Sequence, residues 1–167
     1  MNKLRIIISG GQTGVDQTAL NVARALGILC AGWCPPGRAC ENGEIPMVFP
    51  LTETPEERSS DAPNVPRSLR TEWNVRDSDA TLIVKPNSLM GYSGTEWTEK
   101  CLIRYNRKFL IVDPFDTNAV NQIKQWLRET DIKILNIAGP SEKTFPGINK
   151  QTYEILMQSL TSQTGKG

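Results

Sequence analysis

The sequence predicts an α/β fold, a doubly wound and mainly parallel sheet of the Rossmann type with helices on both faces. Three observations support this prediction. Short apolar runs bounded by turn residues recur along the chain, amphipathic segments lie between them, and glycine-rich turns follow several runs. Runs that are apolar throughout are typical of strands buried on both faces of a parallel sheet, and their alternation with helices implies right-handed crossovers.

Four apolar runs are predicted as strands, at residues 4–9, 80–84, 109–113 and 133–137, and a fifth is predicted at 28–33. Between them, apolar side chains recur at helical spacing, which is typical of core-facing helices. The positions on each face are Val15, Ala19, Val22 and Leu26; Trp97, Cys101, Leu102 and Tyr105; Val120, Ile123 and Leu127; and Ile148, Ile155, Leu156 and Leu160. A further helix is predicted before residue 80, where Leu69 and Trp73 are one turn apart.

The length of 167 residues predicts one domain over residues 1–167. An excursion at about 33–67 interrupts the alternation of strands and helices, because it holds seven of the 11 prolines and the polar run EERSSDAPN. Long loops in compact domains are usually functional, so this excursion is a candidate ligand cover or subunit contact. A plain surface excursion is the alternative.

Charge and composition exclude several functional classes. The net charge of +1 lacks the one-sided positive field of a nucleic-acid binder. No apolar stretch approaches the ~18 residues of a membrane helix and no signal-peptide pattern is present, so we expect a cytoplasmic protein without a membrane partner. The four cysteines match no CxxC pair and are expected to be reduced thiols. The absence of histidine excludes imidazole catalysis and histidine metal ligands.

Three glycine-containing turns are predicted at the carboxyl edge of the sheet, where open α/β sheets bind ligands. Residues 10–14 (GGQTG) follow the first strand and lead into a helix with Asp16 in its first turn. Such a turn lets backbone N–H groups and the helix dipole meet an anion such as phosphate. The alternative is a tight turn whose N–H groups are satisfied by Thr13 and Asp16 themselves. The turn is neither a P-loop nor a complete GxGxxG fingerprint.

The second turn, residues 91–96 (GYSGTE), includes a capping box formed by Ser93 and Glu96, and the third begins at Gly139 and Pro140. Convergence of the three turns predicts a small, anionic, nucleotide-like ligand. Arginine side chains that suit phosphate are Arg67, Arg70 and Arg76 before the 80–84 strand and Arg38 in the excursion, although a solvated helix face is the alternative.

Six segments together resemble the molybdenum carrier protein family: IISGGQTGVDQTAL, GWCPPGRACENGEIP, PLTET, RTEWNVRDSDATLIV, SGTEWT and NIAGPSEKTFPGI. The resemblance implies a Rossmann-like fold related to the Lonely Guy group of nucleotide-ligand-binding proteins. It also implies a homo-oligomeric carrier, dimer or tetramer, that binds molybdenum cofactor (molybdopterin) without catalysis. The cofactor's own dithiolene would hold the molybdenum, so no protein-ligated metal is predicted, and molybdenum enzymes would be the acceptors.

The residues predicted to contact the ligand come from the three turns, with Asp16 and Arg76 added: Gly10, Gly11, Gln12, Thr13, Gly14, Asp16, Arg76, Ser93, Gly94, Thr95, Gly139 and Pro140. From the sequence we also expect Gly14→Asp to abolish ligand binding while leaving the fold mostly intact.

Two alternative functions remain open at this point. In a nucleotide phosphoribohydrolase, which would cleave the N-glycosidic bond of AMP-like substrates, Glu72, Glu96 or Glu99 would stabilise the transition state while Arg76 anchors phosphate. The spacing of Arg70, Glu72 and Arg76 differs from that of the enzymatic relatives. In a nucleotide-sensing assembly module, ligand would change the oligomeric state without turnover.

Overall fold

A computed structural model describes residues 3–89 and 93–164. In chain order, its strands are β1 (Ile6–Ile8), β2 (Leu29–Ala31), β3 (Trp33–Cys34), β4 (Ala39–Cys40), β5 (Gly43–Glu44), β6 (Thr52–Glu53), β7 (Ala80–Val84), β8 (Lys108–Val112) and β9 (Ile134–Ala138). Its α-helices are α1 (Val15–Leu26), α2 (Ser68–Arg76), α3 (Ser93–Arg104), α4 (Ala119–Glu129) and α5 (Ile148–Leu160).

The main sheet has five strands in the order β2-β1-β9-β7-β8, and every neighbouring pair is parallel. The last strand, β9, lies at the centre, so Ile6 of β1 pairs with Ile134 while Leu82 of β7 pairs with Ile137. The turns after β1 and β9 therefore leave the sheet side by side at its carboxyl edge.

Helices cover both faces of this sheet, which confirms the predicted doubly wound α/β class. Helices α1, α4 and α5 pack on one face over the largest apolar core, and α2 and α3 pack on the other. Alternation along β7 divides its side chains between the two cores, because Leu82 and Val84 belong to the first and Ile83 to the second.

All five predicted strands form, and none of their ends is displaced by more than two residues. The largest displacement at a carboxyl end is in the run 28–33, where the strand ends at Ala31. Gly32 has φ +144, and a Cβ on it would lie 2.1 Å from the carbonyl oxygen of Ser9. The chain passes against the backbone of Ser9 at this point and leaves the main sheet.

The proline-rich excursion contains only two-residue strands, as its composition predicts. Strand β3 pairs in parallel with β6, and β4 pairs antiparallel with β5. The guanidinium of buried Arg38 holds the segment together by donating hydrogen bonds to four carbonyl oxygens, those of Ile45, Pro46, Phe49 and Leu51. A small apolar core then packs the excursion against Leu20 of α1.

All four cysteines are unpaired, and all but Cys30 are buried. Within the described residues, no helix combines the length and apolarity needed to cross a membrane.

Candidate functional site

The candidate site is a concave region at the carboxyl edge of the sheet, between the turns after β1 and β9 and the start of α2. Its outer part has a volume of about 190 Å³. An inner cavity of about 60 Å³ adjoins it and shares Arg70, Thr71 and Gly139 with it. The outer part, called the crevice below, is lined by residues that include Gln12, Glu41, Arg67, Arg70, Trp97 and Ser141.

The carboxylate of Asp16 lies at the turn 10–14 and the start of α1, where the sequence predicts the binding of an anion. Asp16 lies in the first turn of α1, its side chain is only 2% exposed, and its Oδ2 accepts the Gln12 N–H at 3.3 Å. The same oxygen pairs with Nη1 of Arg70 at 2.8 Å. Burial raises the pKa of Asp16, while Arg70 and the N–H groups of Gln12 and Gly139 act in the opposite direction.

Gly10 makes room for this ion pair. A Cβ at Gly10 would lie 2.0 Å from Nη1 of Arg70, so the guanidinium rests directly on the backbone of the turn. The Nε of Arg70 is buried and makes no hydrogen bond within the described part of the chain. The turn at 10–14 therefore binds a protein cation and a protein carboxylate.

Other N–H groups of this turn also donate hydrogen bonds to acceptors within the protein. The Thr13 N–H donates to the side-chain oxygen of Gln12, and the Val15 N–H donates to the carbonyl oxygen of Pro140. An anionic ligand would thus meet the outer surface of the turn, where the arginines lie, and not an open cradle of N–H groups.

Gly14 and Gly139 are required by close approach of one chain segment to another. Gly14 has φ +85, and a Cβ on it would lie 2.4 Å from the carbonyl oxygen of Pro140. A Cβ on Gly139 would lie 2.3 Å from the carbonyl oxygen of Val84. The expectation that Gly14→Asp leaves the fold mostly intact is therefore wrong, because its side chain would collide with backbone atoms that cannot move aside cheaply.

Gly11 (φ +80) lies three residues before Gly14, and a Cβ on it would meet the side chains of Leu51 and Ile45 in the excursion. The excursion thus packs directly on the first glycine turn.

Glu41, in the excursion, links the turns after β1 and β9. Its Oε2 accepts a hydrogen bond from Thr13 Oγ1 at 3.1 Å, and its Oε1 accepts one from Ser141 Oγ at 2.8 Å. Its own N–H donates to Gln12 Oε1 at 2.9 Å. Glu41 is a site residue that the motifs did not reveal, and only its position in a long proline-rich segment indicated a role.

The start of α3 contributes Thr95 and Thr98, two buried side chains that line the inner cavity. On the sheet side the cavity is lined by Asn136 of β9, whose amide donates to Thr81 Oγ1 at 3.1 Å. The predicted contacts from Ser93 and Gly94, and the turn at 90–92 before them, lie outside the described side chains.

Arg76 does not lie with the other predicted residues. It is the last residue of α2; its guanidinium pairs with Asp77 at 2.8 Å and packs on the Trp73 ring at 4.6 Å. Its carbonyl oxygen accepts a hydrogen bond from Arg107, directly before β8, which places it toward the amino edge of the sheet. Arg76 is therefore not among the residues that line the crevice or the inner cavity, and the start of α2 brings Arg67 and Arg70 to the crevice instead.

The charge balance of the crevice depends on these two arginines. Arg70 is paired with Asp16, whereas no carboxylate forms an ion pair with the Arg67 guanidinium within residues 3–89 and 93–164. A half-buried cation without a counterion beside a concave surface is an arrangement suited to phosphate or carboxylate. The indole of Trp97 is buried in the wall, and its Nε1 donates to the Ser68 carbonyl oxygen at 3.0 Å.

The geometry does not favour the phosphoribohydrolase alternative. Buried Glu72 accepts hydrogen bonds from Ser59 Oγ at 2.6 Å and from Tyr105 Oη at 2.9 Å, so both of its oxygens already have partners. Glu96 lies on a different cavity, next to Asp61. Neither carboxylate lines the crevice or the inner cavity.

Comparison with known proteins identifies the family. A sequence model described as the circularly permutated YpsA SLOG family matches residues 7–160. The chain belongs to this family. It is also similar to a crystal structure, at 1.45 Å resolution, of a protein from Syntrophus aciditrophicus SB titled putative molybdenum carrier protein. The two chains are 36% identical with a TM-score of 0.84, and the match covers 95% of this chain and 96% of the other. Among curated proteins no significant match is found.

The resemblance predicted from the six sequence segments is thereby confirmed, as is the Rossmann-like fold of this SLOG family member. Within the described residues, no group of three or more cysteine, aspartate or glutamate side chains is placed to hold a metal ion.

Proposed function

We propose that this SLOG family member binds a small phosphorylated heterocycle in the crevice and carries it without catalysis, with molybdenum cofactor as the leading ligand. The observation that carries the proposal is the pair Arg67 and Arg70 beside the crevice, with Arg67 lacking a counterion among the described residues. The similarity to a protein titled as a molybdenum carrier supports the choice of cargo. Molybdenum would be carried as part of that ligand, held by the dithiolene of the cofactor.

The size of the crevice limits how the ligand would sit. Its volume of about 190 Å³ is below the ~300–1,000 Å³ that enclose a drug-sized ligand. The phosphate and the adjoining part of the molecule would be covered, and the remainder would extend outside. Because Asp16 fills the inner anion position, the phosphate belongs next to Arg67 and the outer side of Arg70.

Within this proposal, the ligand contacts predicted on the turns divide into two kinds. Gln12 and Gly139 line the crevice, and Thr13 and Pro140 are their chain neighbours. Gly10, Gly14 and Gly139 allow the close backbone approaches that support it. We further propose a cytoplasmic homo-oligomer that delivers its cargo to molybdenum enzymes.

The proposal is tested by anaerobic native mass spectrometry of the protein as purified and after incubation with molybdenum cofactor, AMP and ADP-ribose in competition. Selective retention of the cofactor with unchanged mass is expected. Retention of AMP, or release of ribose phosphate from it, would contradict the carrier function.

The two arginines at opposite ends of α2 provide a matched pair of variants. Arg67→Ala should weaken binding of a phosphorylated ligand by at least about tenfold, since a hydrogen bond to a charged group contributes ~1.5–3 kcal/mol. Arg76→Ala removes the same charge at the far end of the helix and should leave the affinity unchanged. Equal effects of the two variants would place the phosphate elsewhere.

A further inference from the structure

The side chain of Glu41 is held in one orientation by hydroxyl groups from two separate turns, those after β1 and β9. Thr13 and Ser141 each donate a hydroxyl hydrogen bond to a different oxygen of its carboxylate, and Gln12 holds its backbone N–H. Thr13 is 28 residues away in sequence and Ser141 is 100 residues away. An exposed glutamate normally rotates freely, but this one presents a fixed carboxylate on the wall of the crevice.

Each oxygen of this carboxylate still has acceptor capacity. An ionised carboxylate offers about four lone-pair sites, and the two hydroxyl groups use one on each oxygen. Two parallel acceptors at fixed spacing match a ligand edge with two parallel N–H donors, in the way that a carboxylate matches a guanidinium. A carboxylate facing a crevice that otherwise suits an anion would be unfavourable unless the ligand also brings donors.

We propose that Glu41 recognises the two-donor edge of a 2-amino-4-oxopyrimidine ring, the edge shared by pterins and guanine. Its two oxygens accept the ring N–H and the exocyclic amino N–H, while Arg67 and Arg70 bind the phosphate of the same molecule. This inference rests on the proposed function, and it deepens it by naming the class of heterocycle. Adenine presents one donor beside an acceptor on the corresponding edge, so Glu41 discriminates against it.

The test compares four probes by isothermal titration calorimetry: neopterin monophosphate, GMP, IMP and AMP. IMP differs from GMP only by lacking the exocyclic amino group, so the pair measures that donor alone. The wild-type protein should bind neopterin monophosphate and GMP at least about tenfold more tightly than IMP and AMP. A difference between neopterin monophosphate and GMP then separates the pterin source from the guanine source.

Glu41→Gln keeps one oxygen for the two hydroxyls but replaces the other with a donor. It should remove the preference for GMP over IMP and leave the affinity for AMP, which lacks an edge with two adjacent donors, within about twofold. Glu44→Gln is the matched control, because Glu44 is exposed and lies three residues along the same hairpin. It should change neither the GMP-to-IMP affinity ratio nor the affinity for AMP. A thermal melt of each variant checks that it is folded, and the GMP-to-IMP ratio of the wild type tests the proposal without any variant.

The outcomes separate this inference from the proposed function. If all four phosphates bind with similar affinity in an Arg67-dependent way, recognition by Glu41 is wrong and the phosphate site stands. If neopterin monophosphate, GMP, IMP and AMP all fail to bind, the proposed function fails and the inference fails with it. A preference for AMP would also overturn the role of Glu41.

Discussion

The Asp16–Arg70 ion pair shows how a single residue acquires a different role from the one its sequence position indicates. A carboxylate in the first turn of a helix is stabilised by the helix dipole alone, and the sequence left Asp16 as either a cap or a ligand contact. In the structure it is the buried counterion of Arg70, and it also orders the turn through the Gln12 N–H. The pair therefore positions the crevice arginine.

Removing one member of this pair should be costly. Asp16→Asn leaves the Arg70 guanidinium, 18% exposed, without its counterion, and breaking a buried pair in this way typically costs about 3–5 kcal/mol. We expect a decrease in the free energy of unfolding of roughly that size by urea denaturation. The control Asp77→Asn breaks an exposed pair with Arg76 and should cost less than about 1 kcal/mol. Equal losses would show that the Asp16 pair contributes no more than a surface one.

Cys101 provides a second prediction at the residue scale. Its thiol is fully buried in α3, and burial, assisted by the negative charge of Glu72, raises its pKa to about 12. Because the thiolate is the nucleophile, alkylation of the native protein should not accelerate through pH 8–9 at this residue, whereas it does for an ordinary thiol of pKa ~8.5. Mass spectrometry after timed iodoacetamide treatment should find the less buried Cys30 modified first. Rapid labelling of Cys101 in the folded protein would contradict this assignment.

At the scale of elements, the glycine turns are built for contact between loops. Gly14 and Gly27 both have positive φ, +85 and +71, yet a Cβ would collide with backbone only at Gly14. Gly27→Ala should cost about 1–2 kcal/mol, the penalty for a left-handed L-residue. Gly14→Ala should cost at least about 2 kcal/mol more, because it adds overpacking to the same penalty. Urea denaturation of the two variants isolates the steric part, and equal losses would mean that the turn relaxes freely.

The direction of helix α2 explains why Arg76 lies away from the crevice. A helix that leads into a parallel strand runs from the carboxyl edge of the sheet back to the amino edge. Over its nine residues, about 13 Å at 1.5 Å per residue, the two ends reach opposite edges. Chain direction alone could therefore have favoured Arg67 and Arg70 over Arg76. The resemblance identified the segment RTEWNVRDSDATLIV but not which end of its helix lies near the crevice.

At the scale of the whole molecule, we propose the edge strand β8 as the surface through which a second copy of the chain would bind. Phe109 is 47% exposed and Ile111 is 41% exposed, and both project from the same face of the strand. A twofold axis at Leu110 would pair the β8 strands antiparallel, opposing Phe109 to Ile111 of the second copy. It would also bring basic Lys108 close to Asp113 at the other end of the partner strand, so the edge is complementary to itself in charge.

If two copies pair through β8, a charged side chain on this strand should separate them, whereas the same charge on β2 should not. Phe109→Lys should convert a dimer into a monomer of 18.6 kDa, as measured by sedimentation velocity, without lowering the melting temperature appreciably. Leu29→Lys places the same charge on β2, the opposite edge strand, where Leu29 is 70% exposed, and should leave the dimer intact. Dissociation by Leu29→Lys in place of Phe109→Lys would move the interface to the other edge, and a monomeric wild type would exclude it.

The sequence by itself determined the strands, the helices and the α/β class. These depend on local patterns: β7 is a short run buried along its whole length, β9 is apolar except for Asn136, and α1 and α4 carry apolar positions at helical spacing. It also located the turns at 10–14 and 139–140 on the carboxyl edge, because chain direction in a parallel sheet places them there. The order of the strands, with β9 at the centre, was not contained in any local pattern.

The tertiary structure alone decided what fills the site. The contact between Arg70 and Asp16 joins residues 54 apart in sequence, and that between Ser141 and Glu41 joins residues 100 apart. Both depend on how the excursion and α2 pack against the sheet. The excursion is held in place by the close contacts at Gly11 and Gly32 and by the Arg38 hydrogen bonds. Secondary structure is set by the periodicity of neighbouring residues, whereas a site is set by side chains that only the packed chain brings within hydrogen-bond distance.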